Sequence, residues 1–209
     1  MFTGLVQAVG SVAAVEPSAA GRRLEIDTGS WEILPNSGES ICVNGVCLTV
    51  AEVLTPRRWA FDVVNETLAR TTLGAATAGS RLNLERSATP TSLLGGHLVQ
   101  GHVDGVGEIV RVERGDGWRV RVSTPRSTPA GPLIQYMIPK GSVTLDGVSL
   151  TLADVGPVEG WIEIALIPLT LRQTTLAGWV EGQRVNIECD AMAKTVIHWM
   201  RHFSGASRG

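Results

Sequence analysis

The sequence has few cysteines, little net charge and no long apolar run. Its 209 residues include three cysteines, an odd number that fits free thiols in a reducing cytoplasm better than a disulfide framework. A formal net charge of −2 gives no basic face for nucleic acid. No apolar stretch approaches the roughly 20 residues of a membrane-spanning helix, and MFTGLVQAVG lacks the positive region of a secretory signal. These absences predict a cytoplasmic protein that binds neither nucleic acid nor membranes.

Common catalytic and nucleotide-binding motifs are also missing. No glycine-rich phosphate loop follows a predicted strand and opens a helix. No Gly-x-Ser-x-Gly elbow of the hydrolase type occurs either. These motifs therefore give no function, and a different recurring pattern in the sequence is more informative.

That pattern is an internal repeat. NGVCLTV at 44–50 is nearly identical to DGVSLTL at 146–152. Three more pairs follow the same order: GLVQAVGSV with GHVDGVGEI, NETLARTTLG with PLTLRQTTLA, and GSRLNLE with GQRVNIE. Chance similarity between hairpins is scattered, whereas these pairs keep offsets of 97 to 103 residues. We interpret the chain as two tandem copies, residues 1–97 and 98–190, followed by a distinct tail at 191–209.

Each copy has the pattern of short β-strands. Asn44-Gly45 marks a tight turn within an apolar segment. Residues 81–85 alternate polar and apolar, as a half-buried strand does. Strands do not alternate with helices, so we expect an all-β fold with an antiparallel barrel or sandwich in each half. Short helices are predicted after Asn65, which can cap one, and after Pro168, with a helical turn over residues 132–138.

The tail predicts an amphipathic helix. Asp190 is a suitable N-cap, and Met192, Val196, Trp199 and Phe203 fall at steps of four and three residues. This apolar stripe either covers its own barrel or meets the same helix of neighbouring subunits, as in a coiled-coil seam. The pattern alone favours neither arrangement.

Cys47 and Ser149 occupy the same position in the two copies. A lone cysteine in a strand is usually a small buried apolar residue, but the repeat suggests two equivalent pockets with different chemistry. Serine is a neutral donor and acceptor, whereas cysteine can also be a nucleophile. His97 and His102 lie near the junction of the copies and would point to opposite faces of a strand. One that faces a pocket can carry a proton near neutral pH.

Several ordered motifs resemble the riboflavin synthase family, of the alpha-type chain. They are MFTGLVQ, NGVCLTV, NETLARTTLG, GGHLVQGHVDG, KGSVTLDGVSLTL and TLRQTTL. The resemblance implies two six-stranded Greek-key barrels that bind lumazine, a C-terminal helix and a homotrimer. It implies a transferase that moves a four-carbon unit between two 6,7-dimethyl-8-ribityllumazine molecules, giving riboflavin and an amino-ribitylamino-pyrimidinedione, without cofactor or metal. It leaves open whether the trimer stands alone or associates with lumazine synthase.

The family's site residues carry over by position. Cys47, His102 and Ser149 would be catalytic. The resemblance places these residues in the first pocket with Cys47: Gly4, Leu5, Val6, Leu48, Thr49, Asp62, Val63, Val64, Asn65, Glu66 and Thr67. It places these in the second pocket with His102 and Ser149: Gly101, Val103, Asp146, Leu150, Thr151, Ile167, Pro168, Leu169, Thr170, Leu171 and Arg172. Phe2 would sit at the mouth of the first pocket, and Lys140 would reach the ligand of a neighbouring subunit.

The duplication and the resemblance explain each other. Two identical substrates need two similar pockets, and a donor and an acceptor need pockets that differ, as Cys47 and Ser149 do. In the family, the site forms where the first barrel of one subunit meets the second barrel of its neighbour. Leu169 and Asn65 depart from the family, where glutamate, and lysine or alanine, are frequent. The alternative function is a non-catalytic lumazine or flavin carrier of the same double-barrel fold.

Overall fold

Antiparallel β-strands dominate the computed structural model, which describes residues 1–115 and 117–203. The first half contains β1 (Ala8–Ser18), β2 (Gly21–Asp27), β3 (Ser40–Val43), β4 (Val46–Thr49), β5 (Glu52–Thr55), β6 (Arg58–Val64) and β7 (Arg81–Arg86). The second half contains β8 (Gly105–Glu113), β9 (Trp118–Ser123), β10 (Ser142–Leu145), β11 (Val148–Gly156), β12 (Trp161–Leu166) and β13 (Arg184–Cys189). The α-helices are α1 (Asn65–Arg70), α2 (Pro168–Gln173) and α3 (Ala191–His202), and 3₁₀ helices span Thr72–Ala75, Leu133–Tyr136 and Thr175–Gly178.

The second half is a closed six-stranded barrel in the order β10, β11, β12, β9, β8, β13. All of its neighbouring strands are antiparallel. Alternate residues of each strand point inwards, so β12 buries Ile162, Ile164 and Leu166 while the residues between them are more exposed. This alternation fills the barrel with apolar side chains and leaves its outer face for contacts.

The first half has the same strand order but is not closed. Its seven-stranded sheet runs β4, β3, β7, β1, β2, β6, β5, so the two edge strands are consecutive in the chain. Together they correspond to β11, divided at Val50 and Ala51. Before the break, the Val50 N–H donates to the Glu39 carbonyl (2.9 Å), next to β3. After it, the Ala51 N–H donates to the Ala60 carbonyl (2.9 Å), in β6. The predicted all-β fold of two repeats is confirmed, and one strand of the first repeat is split.

The short helices occur where the sequence predicted them. Pro168 is the first residue of α2, where its missing N–H costs nothing. The prediction that Asn65 caps α1 is wrong, because Val64 holds the cap position and makes no side-chain hydrogen bond. A threonine acts one step later in each half. Thr71 and Thr174 each accept a hydrogen bond (3.3 Å) at the start of the following 3₁₀ helix.

Two buried asparagines join the halves reciprocally. Asn83 of β7 donates to the Asp146 carbonyl (2.9 Å) and accepts from the Thr175 N–H (2.8 Å). Asn186 of β13 donates to the Asn44 carbonyl (2.8 Å) and accepts from the Thr72 N–H (2.8 Å). Each half therefore satisfies the backbone of the other, and the halves are related by an approximate two-fold axis.

The turns of the two repeated segments pack against each other on this axis. Asn44 and Gly45 have φ of 50° and 85°, which suits a two-residue hairpin turn. A Cβ on Gly45 would lie 2.8 Å from the Gly147 nitrogen, and a Cβ on Gly147 would lie 2.8 Å from the Gly45 nitrogen. Only glycine allows the two backbones to approach this closely.

Helix α3 presents its apolar stripe to solvent. Asp190 accepts a hydrogen bond from the Met192 N–H (2.7 Å), which confirms the predicted N-cap. Lys194 forms an ion pair with Asp104 (3.0 Å) and holds the helix to the second half. The stripe residues keep more than half of their surface exposed: Met192 71%, Val196 56%, Trp199 57% and Phe203 53%. The helix therefore does not cover its own barrel with this stripe. Among the described residues, no helix has the length and apolar character needed to cross a membrane.

Asp146 lies at the junction where the two hairpin turns meet, and it makes the free energy of unfolding depend on pH. Its side chain is 3% exposed and accepts from the Asn186 N–H (2.8 Å), and burial raises its pKa from 3.8 to about 7. The equivalent residue of the first half is the amide Asn44. Because the folded pKa is raised, this group favours folding below about pH 4, and that contribution is lost as the pH rises to about 7.

Asp146→Asn is therefore expected to stabilise the chain at neutral pH, by up to about 4 kcal/mol in the free energy of unfolding. Denaturant unfolding between about pH 4 and pH 8 measures it, and the difference from wild type should grow with pH. Asp154→Asn, at an exposed position, is the control and should follow the wild-type curve. A constant difference at every pH would show that Asp146 does not titrate in this range.

Candidate active site

The segments that precede β1 and β8 cross each other. We call residues 1–7 the first connector and residues 98–104 the second connector. Phe2 and Val99 form an antiparallel bridge, in which the Phe2 N–H donates to the Val99 carbonyl (2.7 Å) and the Val99 N–H donates to the Phe2 carbonyl (3.1 Å). After this bridge, each connector passes along the other half before it enters its own first strand.

The crossing exchanges the connectors between the predicted pockets. The Cys47 N–H donates to the Gly101 carbonyl (2.9 Å), and the Ser149 N–H donates to the Gly4 carbonyl (2.8 Å). Val103 packs on the core of the first half, whereas Val6 packs on the core of the second. The grouping of Gly4, Leu5 and Val6 with Cys47, and of Gly101, His102 and Val103 with Ser149, is therefore wrong within one chain.

Two buried glutamates hold the crossed connectors. Glu85 accepts from the N–H groups of Thr3 (2.7 Å) and Gly4 (3.0 Å). Glu188 accepts from those of Gln100 (2.7 Å), Gly101 (2.9 Å) and His102 (3.0 Å). Burial is the largest influence on both carboxyl groups and raises the pKa of each. Sequence reasoning missed these residues, although they end the matched blocks GSRLNLE and GQRVNIE.

Cys47 opens into a cavity of about 440 Å³, within the range of small-molecule sites. Its walls come from both halves. They include Cys47, Glu66, Thr67, Arg70, Gly101, His102, Val103, Thr128, Tyr136 and Lys194. The structure thus brings the predicted residues Cys47, His102 and Thr67 together. It also places the Leu133–Tyr136 segment and the first turn of α3 in the wall of this cavity.

Ser149 has a different partner. Its Oγ lies 2.7 Å from Nδ1 of His97, whose Nε2 lies 3.2 Å from Oγ1 of Thr144. Burial is the main cause that lowers the pKa of His97, so the imidazole is neutral near pH 7. If Nε2 carries the proton and donates to Thr144, Nδ1 can accept from the Ser149 hydroxyl. This arrangement makes the serine–histidine pair a proton acceptor.

The expectation that His102 lies beside Ser149 is therefore wrong. That placement came from the family resemblance. The strand on which the two histidines were expected to point to opposite faces is absent, because only Val99 makes a β-bridge within residues 97–102. The chain bends between the histidines, and Gly101 has a φ of 76°. His97 turns to the second half while His102 turns to the first.

The remaining predicted site residues fall into a buried group and an exposed group. Phe2 is 1% exposed and packs with Cys42 and Val99, so it lies under the first pocket and not at its mouth. Leu48, Val63, Asp146 and Leu150 are also buried. The exposed ones are Leu5, Thr49, Asp62, Val64, Asn65, Glu66, Lys140, Thr151, Ile167, Pro168, Leu169 and Arg172, and Thr170 and Leu171 are half-buried.

Lys140 has an unusual backbone for its residue type. Its φ is 66°, and the matched position in the first half is Gly38 with a φ of 92°. The N–H of Lys140 donates to the Leu152 carbonyl (2.8 Å), and the N–H of Gly38 donates to the Val50 carbonyl (2.8 Å). A lysine where the copy has glycine accepts backbone strain, which supports a use for its side chain beyond the turn.

Comparison with known proteins agrees with this architecture. The family model described as the lumazine binding domain matches residues 3–87 and 100–190. The chain is 45% identical over 203 residues to the riboflavin synthase of Mycobacterium tuberculosis (strain H37Rv), covering 96% of this chain and 98% of that protein. It is 36% identical over 200 residues to the riboflavin synthase of Bacillus subtilis, covering 96% and 90%.

Solved structures show the same fold. The crystal structure of LumP complexed with riboflavin aligns with a TM-score of 0.79 at 24% identity, covering 90% of this chain and 99% of that one. LumP complexed with 6,7-dimethyl-8-(1'-D-ribityl) lumazine aligns with a TM-score of 0.78 at 22% identity, with the same coverage. At this identity the likeness is one of fold.

Proposed function

Since this chain belongs to the riboflavin synthase family and is an enzyme, a transferase, we propose that its two halves hold the two reacting lumazine molecules in chemically different pockets. The reaction is the dismutation of two 6,7-dimethyl-8-ribityllumazine molecules to riboflavin and 5-amino-6-ribitylamino-pyrimidinedione. The two substrates contain all the atoms of the two products, so the overall reaction needs no oxidant. The observation that carries the proposal is the pair of matched hairpins that differ at Cys47 and Ser149.

The second half is proposed to hold the donor. The reaction must remove a proton from the methyl group on carbon 7 of one lumazine. The Ser149 hydroxyl, bonded to the neutral imidazole of His97 (2.7 Å), supplies a base at that position. The proton passes through the serine oxygen to Nδ1, and Thr144 holds the other nitrogen of the ring.

The first half is proposed to hold the acceptor. Cys47 acts on its carbon 7, either as a transient nucleophile or by polarising it. His102 lines the same cavity and is placed to exchange protons with the bound ring. Thr67 and Thr49, with Thr170 and Thr151 in the other half, are proposed to bind the ribityl hydroxyls.

We further propose that the active site is completed between subunits. The two halves of one chain have their pocket hairpins back to back at Gly45 and Gly147, so donor and acceptor from one chain would have the junction between them. A first half of one chain facing the second half of another brings two pockets together, with Lys140 reaching across. The exposed stripe of α3 supports a homotrimer as the assembly.

The proposed divisions of the chain are a lumazine-binding barrel at 1–97, a second at 98–190, and the trimerisation helix and tail at 191–209. The cytoplasm is the proposed location, where the three free thiols stay reduced. Docking of the trimer with lumazine synthase stays a prediction, and co-elution of the two purified proteins tests it.

The function is tested directly by incubating the purified chain with 6,7-dimethyl-8-ribityllumazine. Riboflavin absorbance should appear without any added cofactor, and the pyrimidinedione should form in equal amount. Absence of yellow product above a control without protein would leave a lumazine-binding protein that lacks the activity.

Replacing His97 and replacing His102 are expected to impair different steps of the reaction. His97→Gln and His102→Gln should each lower turnover by about 10²–10⁴-fold, the usual contribution of a positioned acid or base. Only His97→Gln should slow the exchange of the carbon 7 methyl protons with heavy water, followed by NMR on the bound substrate. Slower exchange in His102→Gln, with normal exchange in His97→Gln, would assign the base to the first pocket.

Removing residues after Asp190 is expected to convert a trimer into monomers and to abolish most of the activity. Light scattering measures the mass, and a full-length Trp199→Asp variant repeats the test because a charge opposes burial of the stripe. His198→Asp, which places the same charge on another face of α3, is the control and should remain trimeric. A trimer that survives both the truncation and Trp199→Asp would place the subunit interface elsewhere.

A further inference from the structure

Cys42 and Cys47 face each other across the β3–β4 hairpin. The register pairs Val43 with Val46 next to the turn, and Cys42 with Cys47 after it. A two-residue turn closes on a hydrogen-bonded pair, and such pairs alternate with non-hydrogen-bonded ones. Cys42 and Cys47 are thus a non-hydrogen-bonded pair, which agrees with the Cys47 N–H donating outside the hairpin to Gly101 (2.9 Å).

This type of pair suits a disulfide. Its Cα atoms lie about 4.5 Å apart and its side chains share one face of the sheet. A disulfide spans Cα separations of about 4.4–6.8 Å. The same face carries Phe2 and Val99, with which both cysteines pack.

The two thiols have unequal access. Cys47 is partly exposed and lines the 440 Å³ cavity, whereas Cys42 is 2% exposed. Burial, with a smaller effect from the Glu85 carboxylate, raises the pKa of Cys42 well above its usual value. Reagents in the cavity therefore meet Cys47 first, and Cys42 is the group behind it.

We propose that Cys42 and Cys47 form a modification site that closes to an intramolecular disulfide on reaction with a low-molecular-weight disulfide. The Cys47 thiolate attacks one sulfur of the reagent and releases the first thiol, which leaves a mixed disulfide on Cys47. Cys42 then loses its proton and its sulfur attacks the Cys47 sulfur, which breaks the mixed disulfide; the departing reagent sulfur takes up a proton and leaves as the second thiol. Two protein thiols are oxidised and one reagent disulfide is reduced to two thiols.

Closure would also switch off the enzyme. A disulfide removes the Cys47 thiol from the cavity, so riboflavin formation should stop until a reductant restores it. This consequence rests on the proposed role of Cys47, whereas formation of the disulfide does not.

The second half supplies the matched variant. Its equivalent pair is Thr144 and Ser149, in the same register on β10 and β11. Cys42→Thr therefore introduces the residue type that the second half has at the matched position, Thr144. The variant keeps Cys47. Cys189→Ala removes the third, buried cysteine, which lies on β13.

The test treats the reduced, folded full-length chain with 2-hydroxyethyl disulfide. It then counts free thiols by alkylation in denaturant, which exposes the buried Cys42 and Cys189, and weighs the intact protein. Wild type should fall from three alkylatable thiols to one, lose the mass of two hydrogens and give a peptide linking residues 42 and 47. Cys189→Ala should form the same link. Cys42→Thr should instead retain the reagent on Cys47 as a mixed disulfide, because no thiol then faces Cys47 across the hairpin to expel it.

Activity measured on the same samples separates the two proposals. Loss in oxidised wild type that dithiothreitol restores supports the switch. A linked protein that keeps full activity would retain the modification site and overturn the role of Cys47 in the reaction. A stable mixed disulfide on wild type, or three thiols that stay alkylatable, would overturn the modification site. Because these outcomes are read from wild type, they stand even where a variant folds poorly.

Discussion

Hydrogen bonding of the crossed connectors to buried carboxylates is the interaction on which the positions of the Cys47 and Ser149 hairpins depend. Glu85 accepts from two backbone N–H groups of the first connector, and Glu188 accepts from three of the second. On the same connectors, the carbonyls of Gly4 and Gly101 accept from the N–H groups of Ser149 and Cys47. A buried carboxylate without donors would be costly, so the connectors and the carboxylates fix each other. The site hairpins are consequently held by backbone that belongs, in sequence, to the opposite copy.

The duplication is what made the fold predictable from the sequence. Ordered repeats, turn dipeptides such as Asn44-Gly45 and alternating segments predicted strands and helices that the structure contains. The split of one strand at Val50 was not predictable, because its sequence pattern continues through the break. The crossing was hidden for a related reason: the segments around Gly4 and Gly101 resemble each other, so either one fits either hairpin by pattern. His97 could be assigned to Ser149 only once the path of residues 97–102 was known.

The residues that we propose to be functional lie at positions where the two copies differ. Backbone geometry is kept at Cys47 and Ser149, at Cys42 and Thr144, and at Gly38 and Lys140, while the chemistry of the side chain changes. At the junction, Asn44 and Asp146 have the same turn conformation, yet one is an amide and the other ionises near pH 7. Two substrates that are identical when they bind can therefore meet surroundings that are not identical, which a perfectly repeated chain would be unable to provide.

The Phe2–Val99 bridge decides what a fragment of this protein can be. A chain cut after residue 97 would have no Gly101 carbonyl for the Cys47 N–H, and its own Gly4 would have no Ser149. In the full chain these two contacts are equivalent, so two such fragments could supply them to each other. The first connector of each fragment would lie on the hairpin of the other. The free half-molecule would then be a symmetric pair with two copies of the Cys47 hairpin. In this sense the tandem chain resembles a dimer whose two subunits lie on one sequence, and a single sequence can carry different side chains in its two halves.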